Sequence, residues 1–176
     1  MSELRYTGHL LVGAVALVLG VILTVIAFQQ DLDSPVFTIV SIASAIPLVV
    51  ALQFFVQGVR RWRAARTAAR YGSVEWAAIC VKPENHYLIR LLLVDPAAGL
   101  LLLTLSGRQL AAWPWADIGP AHATTVDVGG RSKSGLIVDA QPIPQFAFLS
   151  PSGIGYSREI AARGAQAISA HAGPAR

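Results

Sequence analysis

Between residues 8 and 59 the chain has almost no charge: Asp31 and Asp33 are the only ionised side chains there. Over the 176 residues 14% are charged and 54% hydrophobic, with a mean hydropathy of +0.54, where an ordinary soluble domain carries about 25% charged residues. There is one cysteine, Cys80, which excludes an intrachain disulfide and a thiolate metal cluster. Nothing nearby activates its thiol, so Cys80 reads as a small buried hydrophobe. His9, His86, His122 and His171 are scattered, without HExxH or other ligand spacing. Ser152-Gly153-Ile154-Gly155 is not the GxSxG elbow of a serine hydrolase. The loop Gly129-Gly130-Arg131-Ser132-Lys133-Ser134-Gly135 lacks the GxxxxGK[ST] order of a phosphate loop, and a strand pattern follows it instead of a helix. It reads as a hairpin tip whose Arg131 and Lys133 face lipid headgroups or an acidic partner. Asp117 and Asp127 belong to a turn and a hairpin and make no catalytic pair. The expectation is therefore a non-enzymatic chain with no cofactor and no metal.

What is present is apolar length. Gly8–Phe28 gives 21 residues that at about 1.5 Å each cover the hydrocarbon core of roughly 30 Å. That run is too long for the apolar core of a signal peptide, and no small-x-small cleavage site follows Phe28. Val36–Val59 gives a second run of 24 residues with room to tilt. Pro47 lies mid-span, with Ser41 and Ser44 upstream to help satisfy the carbonyl it frees. Asp31-Leu32-Asp33-Ser34-Pro35 is a short link, so an antiparallel hairpin is expected. Ala16-xxx-Gly20 and Ser41-xxx-Ala45 have the spacing that permits close helix contact. Neither span holds an ionisable residue at depth, which speaks against a channel or an independent transporter.

Positive charge is concentrated where the second span ends. Arg60, Arg61, Arg63, Arg66 and Arg70 fall within eleven residues without an acid, whereas residues from Tyr71 onward carry eight basic and seven acidic side chains. A nucleic-acid binder would carry its charge on the folded domain, so nucleic acid is not expected as a partner. The positive-inside rule places the arginines, the N-terminus and everything after residue 60 in the cytoplasm, with the acidic link outside. Ala and Arg favour helix, so residues 60–70 are expected to prolong the second helix, with Arg63, Arg66 and Arg70 along one face and Trp62 as an interfacial anchor. Stop-transfer charge accounts for this cluster, and attraction to anionic lipid of the inner leaflet adds about 1 kcal/mol per residue.

From Val74 the pattern turns to short strands. They are expected at Trp76–Val81, Leu88–Val94, Leu100–Leu105, Gln109–Trp113, Ala121–Val128, Leu136–Ala140 and Phe146–Leu149, separated by turn residues such as Asp95-Pro96-Ala97-Ala98-Gly99. Trp113 and Trp115, if extended, share a face: core aromatics, or the wall of a peptide groove. Ser157 is an N-cap candidate for a final helix, whose stripe is Ile160, Ala161, Gly164, Ala167, Ile168 and His171, ending at Gly173-Pro174.

Strands followed by one helix, and in particular LIRLLLVDPAAGLLLLTLSGRQLAAWPWADIGPAHA with its Trp113-Pro114-Trp115-Ala116-Asp117-Ile118 exit, resemble the pleckstrin-homology (PH) superfold over residues 74–172. More narrowly, the chain resembles bacterial membrane proteins with two transmembrane helices and a PH-like, including YcxB-like, C-terminal domain. The resemblance implies a seven-stranded bent sheet plugged by a C-terminal helix, acting as a binding or scaffolding module at the inner face of the plasma membrane. Phosphoinositide specificity does not carry over, because the first hairpin offers only Lys82 and Arg90. The expected layout is a transmembrane hairpin over 1–59, a basic juxtamembrane helix or linker over 60–72, a cytoplasmic PH-like domain over 73–172 and a tail over 173–176. The expected partners are the bilayer and an unidentified protein, with an accessory subunit working through its helices as the alternative. Arg60, Arg61, Trp62, Arg63, Arg66, Arg70, Arg131 and Lys133 are the candidate contact residues.

Overall fold

The two apolar runs form α1 (Thr7–Phe28) and α2 (Pro35–Ala69), each long and apolar enough to cross a membrane. The structure is a computed structural model, and it describes Leu4 and residues 6–29, 34–140, 144–150 and 155–172. Asp31, Leu32 and Asp33 of the link, Ser152-Gly153-Ile154 and the tail 173–176 lie outside the described residues. The chain divides into two compact units, Tyr6–Arg61 and a second made of Met1–Arg5 with Trp62–Arg176.

In the first unit, Leu11, Val15, Val18, Ile39, Ile46 and Leu52 are all exposed, an apolar surface that suits lipid far better than water. The seam between the helices is built from small residues. Gly13, Gly20 and Ala27 are buried on α1, and Ser44, Ala51 and Gly58 on α2. Both series step by seven, the 3.5-residue period of helices crossing at a shallow angle, rather than by the four expected from Ala16/Gly20 and Ser41/Ala45. Gly20 belongs to the seam, but Ala16 is half-buried and Ala45 exposed. A Cβ on Gly13 would stand 3.3 Å from the Phe55 backbone N and 3.4 Å from the Ala51 carbonyl oxygen. Pro47 sits inside α2 as expected. The Ser44 hydroxyl, however, donates to the Ser41 carbonyl at 2.8 Å, not to the Ala43 carbonyl that Pro47 leaves free.

The second unit is a seven-stranded antiparallel sheet in the order β4-β3-β2-β1-β7-β6-β5, followed by a helix. The strands are β1 (Trp76–Lys82), β2 (Asn85–Asp95), β3 (Gly99–Thr104), β4 (Gln109–Trp113), β5 (Ile118–Asp127), β6 (Ser132–Ala140) and β7 (Gln145–Phe148). The sheet curls so that side chains of all seven strands meet in one cluster, among them Cys80, Leu92, Leu102, Trp113, Ile118, Leu136 and Phe148. The closing helix α3 (Arg158–Ser169) adds Ile160, Ala161, Ala165 and Ile168 to it. Ser157 caps α3, its hydroxyl accepting the Ile160 N–H at 3.3 Å. Gly164 lets the Trp76 ring approach α3: a Cβ there would lie 2.8 Å from it. The β2–β3 turn is closed by the buried Asp95 carboxylate, which accepts the Ala97 and Ala98 N–H groups at 2.9 and 3.2 Å and the Ser73 hydroxyl at 3.1 Å.

Trp113 and Trp115 do not share a strand. Pro114 ends β4 and a short 3-10 turn over Trp115–Asp117 follows. Trp113 is buried edge-on to Phe146, while the Trp115 indole N–H reaches the Asp95 and Pro96 carbonyls at 3.1 and 3.0 Å.

The outer face of β1–β3 is also buried. Ala77, Ile79, Leu91, Leu93, Leu101 and Leu103 point there and are covered by Ala64 and Ala68 of α2, with Leu4. The end of α2 is therefore part of the sheet's packing rather than a free linker.

The glycine seam carries a stability expectation. Gly13→Leu should lower the thermal midpoint of the full chain in detergent micelles, at a cost of about 1–3 kcal/mol from overpacking, while Ala14→Leu, on the exposed side, should leave it unchanged. Equal midpoints for the two variants would remove the seam from the account.

Candidate surface of the α2 extension and the hairpin tips

The last three turns of α2 have two chemically different faces, and the sequence RRWRAARTAA sets both. Alanines three and four apart fall on one side of a helix. Ala64, Thr67 and Ala68 are buried against the sheet, and the Thr67 hydroxyl donates to the Leu105 carbonyl at 2.9 Å. Tyr71, just past the helix, donates its hydroxyl to the Gly107 carbonyl at 3.4 Å. On the other side Arg63, Arg66 and Arg70 are exposed, and Trp62 is 41% exposed. The Arg66 guanidinium lies over the Trp62 ring, 5.6 Å from its centroid. The stripe expected from spacing is present, but it does not include every arginine. Arg60 is half-buried, and Arg61 is only 3% exposed.

Arg131 and Lys133 sit at the β5–β6 hairpin, across the strand order from the part of the sheet that α2 covers. Arg131 is exposed. Lys133 lies over the Tyr156 ring, 5.8 Å from its centroid, at the edge of a small apolar cluster of Val81, Val126, Val128 and Ala147. The eight candidate residues thus form two separate groups.

The first hairpin surrounds Lys82 and Arg90 with residues that the sequence reading did not single out. Arg90 stands opposite Cys80 on one side and Thr104 on the other. Lys82 pairs with Glu84. Burial pushes the Glu84 carboxyl upward, but the Lys82 hydrogen bond, its own backbone amide and the charges of Lys82 and Arg90 outweigh it, leaving the carboxyl below its usual range. Next to this group Tyr87 is 83% and Leu88 54% exposed. No periodic signal marks that pair: Leu88 begins the expected strand and Tyr87 falls just before it. His86 rests against Tyr87 and on Gly129 of the β5–β6 turn.

The histidine expected on the α3 stripe does something else. His171 bonds Glu75 through Nε2 and stacks on Trp115 with centroids 5.0 Å apart, tying the end of α3 to the entrance of β1. Among the described residues no three His, Cys, Asp or Glu side chains come together in a metal-binding group.

Cys80 is fully buried, and that burial pushes its thiol up to about 12 against the weaker pull of Arg90 and Lys82. The unfolded chain ionises this thiol near pH 9 and the folded chain does not. Its contribution to stability is therefore full below that pH and is lost as pH rises towards 12. A denaturation series should show stability falling across this window in the native chain and a flatter curve in Cys80→Ala. Rapid maleimide labelling of the folded protein at pH 8 would contradict the burial.

No protein-family model, no curated protein and no solved structure matches the chain.

Proposed function

We propose that this is a non-enzymatic, membrane-anchored binding module: a PH-like domain held at the inner face of the plasma membrane by a two-helix hairpin. On this reading the N-terminus and the domain are cytoplasmic, and the domain engages anionic inner-leaflet lipid or a protein partner. The bacterial and YcxB-like character suggested by the residues of 88–123 belongs to the same proposal. Its fold part is supported by the strand order β4-β3-β2-β1-β7-β6-β5 with a closing C-terminal helix, the arrangement of the PH superfold. The topology is supported by Leu4, before the first apolar run, packing with Ala64 and Ala68, after the second, as an even number of spans requires, and by five arginines set against Asp31 and Asp33.

One observation carries the binding role: with Ala64 and Ala68 docked on the sheet, Trp62, Arg63 and Arg66 are left exposed on α2, and Arg70 is exposed just past its end. Side chains needed only to stop translocation would not have to share a face. Lipid headgroups and an acidic partner surface are both matched by such a stripe.

The test is extraction of the full chain from native membranes in lipid nanodiscs, with the co-isolated lipids quantified and cross-linked proteins identified. The expected result is enrichment of anionic lipid, or a stable partner, that falls by about tenfold or more in the Arg63→Gln/Arg66→Gln/Arg70→Gln variant. A chain that shows neither lipid preference nor partner is not a binding module.

The alternative, an accessory subunit acting through its helices, is favoured by one feature. An apolar groove of about 620 Å3 runs between α1 and α2, lined by Ala16, Leu19, Ala43, Ile46 and Pro47 among others. Function retained after both helices are exchanged for an unrelated hairpin would exclude it.

A further inference from the structure

From Tyr71 onward the charges nearly cancel in total, yet they are sorted by place. Four acids gather near Trp115. His171 stacks on that ring and bonds Glu75, and the indole N–H reaches the Asp95 carbonyl. Asp117 ends the turn that Trp115 begins, and a Cβ on Gly119 would meet the Asp139 carboxylate at 2.8 Å. Four bases stand elsewhere, around the small cluster of Val81, Val126, Val128 and Ala147 against which Ile89 and Tyr156 pack. Lys82 and Arg90 follow Val81 and Ile89 in sequence, Arg131 exchanges backbone N–H···O bonds with Val128, and Lys133 lies over the Tyr156 ring. The acids on this side are Glu84, which Lys82 answers, and Asp127, which accepts the Gly130 N–H at 2.8 Å.

The first hairpin is irregular at the same place. Val81 lies opposite Ile89, but the next residue, Lys82, lies opposite Asn85. His86, Tyr87 and Leu88 therefore have no counterpart on β1, a bulge that turns side chains out of the ladder. The His86 ring packs on Tyr87 with centroids 4.0 Å apart, and a Cβ on Gly129 would lie 3.0 Å from it. The β1–β2 and β5–β6 turns are thus neighbours, with Tyr87 and Leu88 exposed beside both. Tyr87 is more exposed than any large apolar side chain of α1 or α2.

We propose that this bulge is a second membrane contact: Tyr87 and Leu88 enter the interface of an anionic bilayer, and the cations around them meet its headgroups. Two exposed side chains on a bulge fall far short of the roughly 800 Å2 per partner that a stable protein interface needs. A fluid surface closes around such a tip without a matching pocket. Tyrosine suits that depth, its ring apolar and its hydroxyl left at the headgroup level, and the leucine beside it adds buried apolar area. Arg90, Arg131 and Lys133 supply attraction to negative lipid, and the acids near Trp115 are repelled by the same surface, so the field presents the basic side first. The contact reads surface charge rather than one headgroup, and it is separate from the arginines of α2.

Asn85→Cys in the full chain, labelled with a fluorophore and reconstituted in vesicles of phosphatidylcholine and phosphatidylglycerol, tests this. Asn85 is exposed beside the bulge, and Cys80 is buried and does not take the label. Nitroxide-bearing lipids should quench the label at residue 85 and spare one at Ala97→Cys, exposed in the β2–β3 turn. Adding Tyr87→Ser/Leu88→Ser should cut the quenching about fivefold or more without moving the thermal midpoint, since both side chains lie outside the ladder. Arg131→Gln/Lys133→Gln should raise the phosphatidylglycerol fraction needed for half the effect about twofold or more. The Arg63→Gln/Arg66→Gln/Arg70→Gln variant should keep the quenching, which separates this contact from the α2 arginines. Absence of quenching at residue 85, equal quenching at residue 97, or quenching indifferent to Tyr87→Ser/Leu88→Ser would each overturn the proposal. So would a protein cross-linked at residue 85 in native membranes in place of lipid.

Discussion

The second unit depends on covering both faces of β1, β2 and β3. Leu91-Leu92-Leu93-Val94 and Leu100-Leu101-Leu102-Leu103 are unbroken apolar runs, and every one of these side chains is buried. A strand that is apolar on alternate residues needs one covering layer; one that is apolar throughout needs two. The inner layer is the curled sheet with α3. The outer layer is the alanine face of α2 with Leu4. Remove the outer layer and Ile79, Leu91, Leu93, Leu101 and Leu103 would form a contiguous apolar patch in water, the kind of surface monomeric proteins seldom leave open. The segment after the second apolar run is therefore constrained from two directions at once. It must be polar enough to end the apolar run and small enough on one side to lie against a sheet.

Alanine answers the second demand because a helix of small side chains approaches closely without forcing the leucines beneath it out of their rotamers. Thr67 adds a hydrogen bond to Leu105 at the same interface. The interior uses the same economy of bulk. Gly164 makes room for Trp76, and the Cβ of any other residue at Gly99 would collide with the Trp113 carbonyl, at a φ of +109° that glycine tolerates. Two aromatic pairs, Trp76 with Phe148 and Trp113 with Phe146, meet edge to face and tie β1 and β4 to β7.

Much of this was legible in the sequence. The two apolar runs, the Asp95–Gly99 turn, β4 at Gln109–Trp113 and the Ser157 cap all follow local rules, and the structure places them within a few residues of expectation. What was missed depends on partners distant in sequence. The seam of Gly13, Gly20 and Ala27 against Ser44, Ala51 and Gly58 was hidden because a spacing of four catches the eye in Ala-rich helices, whereas antiparallel helices mesh on a spacing of seven. The outer layer had a visible signal that spacing alone did not convert into a partner: the leucine runs of β2 and β3 do not alternate, and a half-covered barrel strand would. The contact of His171 with Glu75, and the exposure of Tyr87 and Leu88, had no local signal at all, because nothing in the flanking residues fixes where those side chains go.

The docking of α2 also changes what the arginines can do. On a free linker, charges at positions 63, 66 and 70 would sample all directions, and their attraction to a surface would be averaged over that motion. Ala64, Thr67 and Ala68 fix the rotation of the helix about its own axis, so Arg63 and Arg66 stay on its exposed side, with Arg70 exposed just past its end. The residues from Tyr71 onward are nearly neutral, so this stripe contributes most of the field on that side. Arginines carried on a docked helix beside an exposed Trp62 cost less backbone conformational entropy to engage than the same side chains on a flexible linker. The alanines that complete the sheet are in this way the same residues that organise the charge.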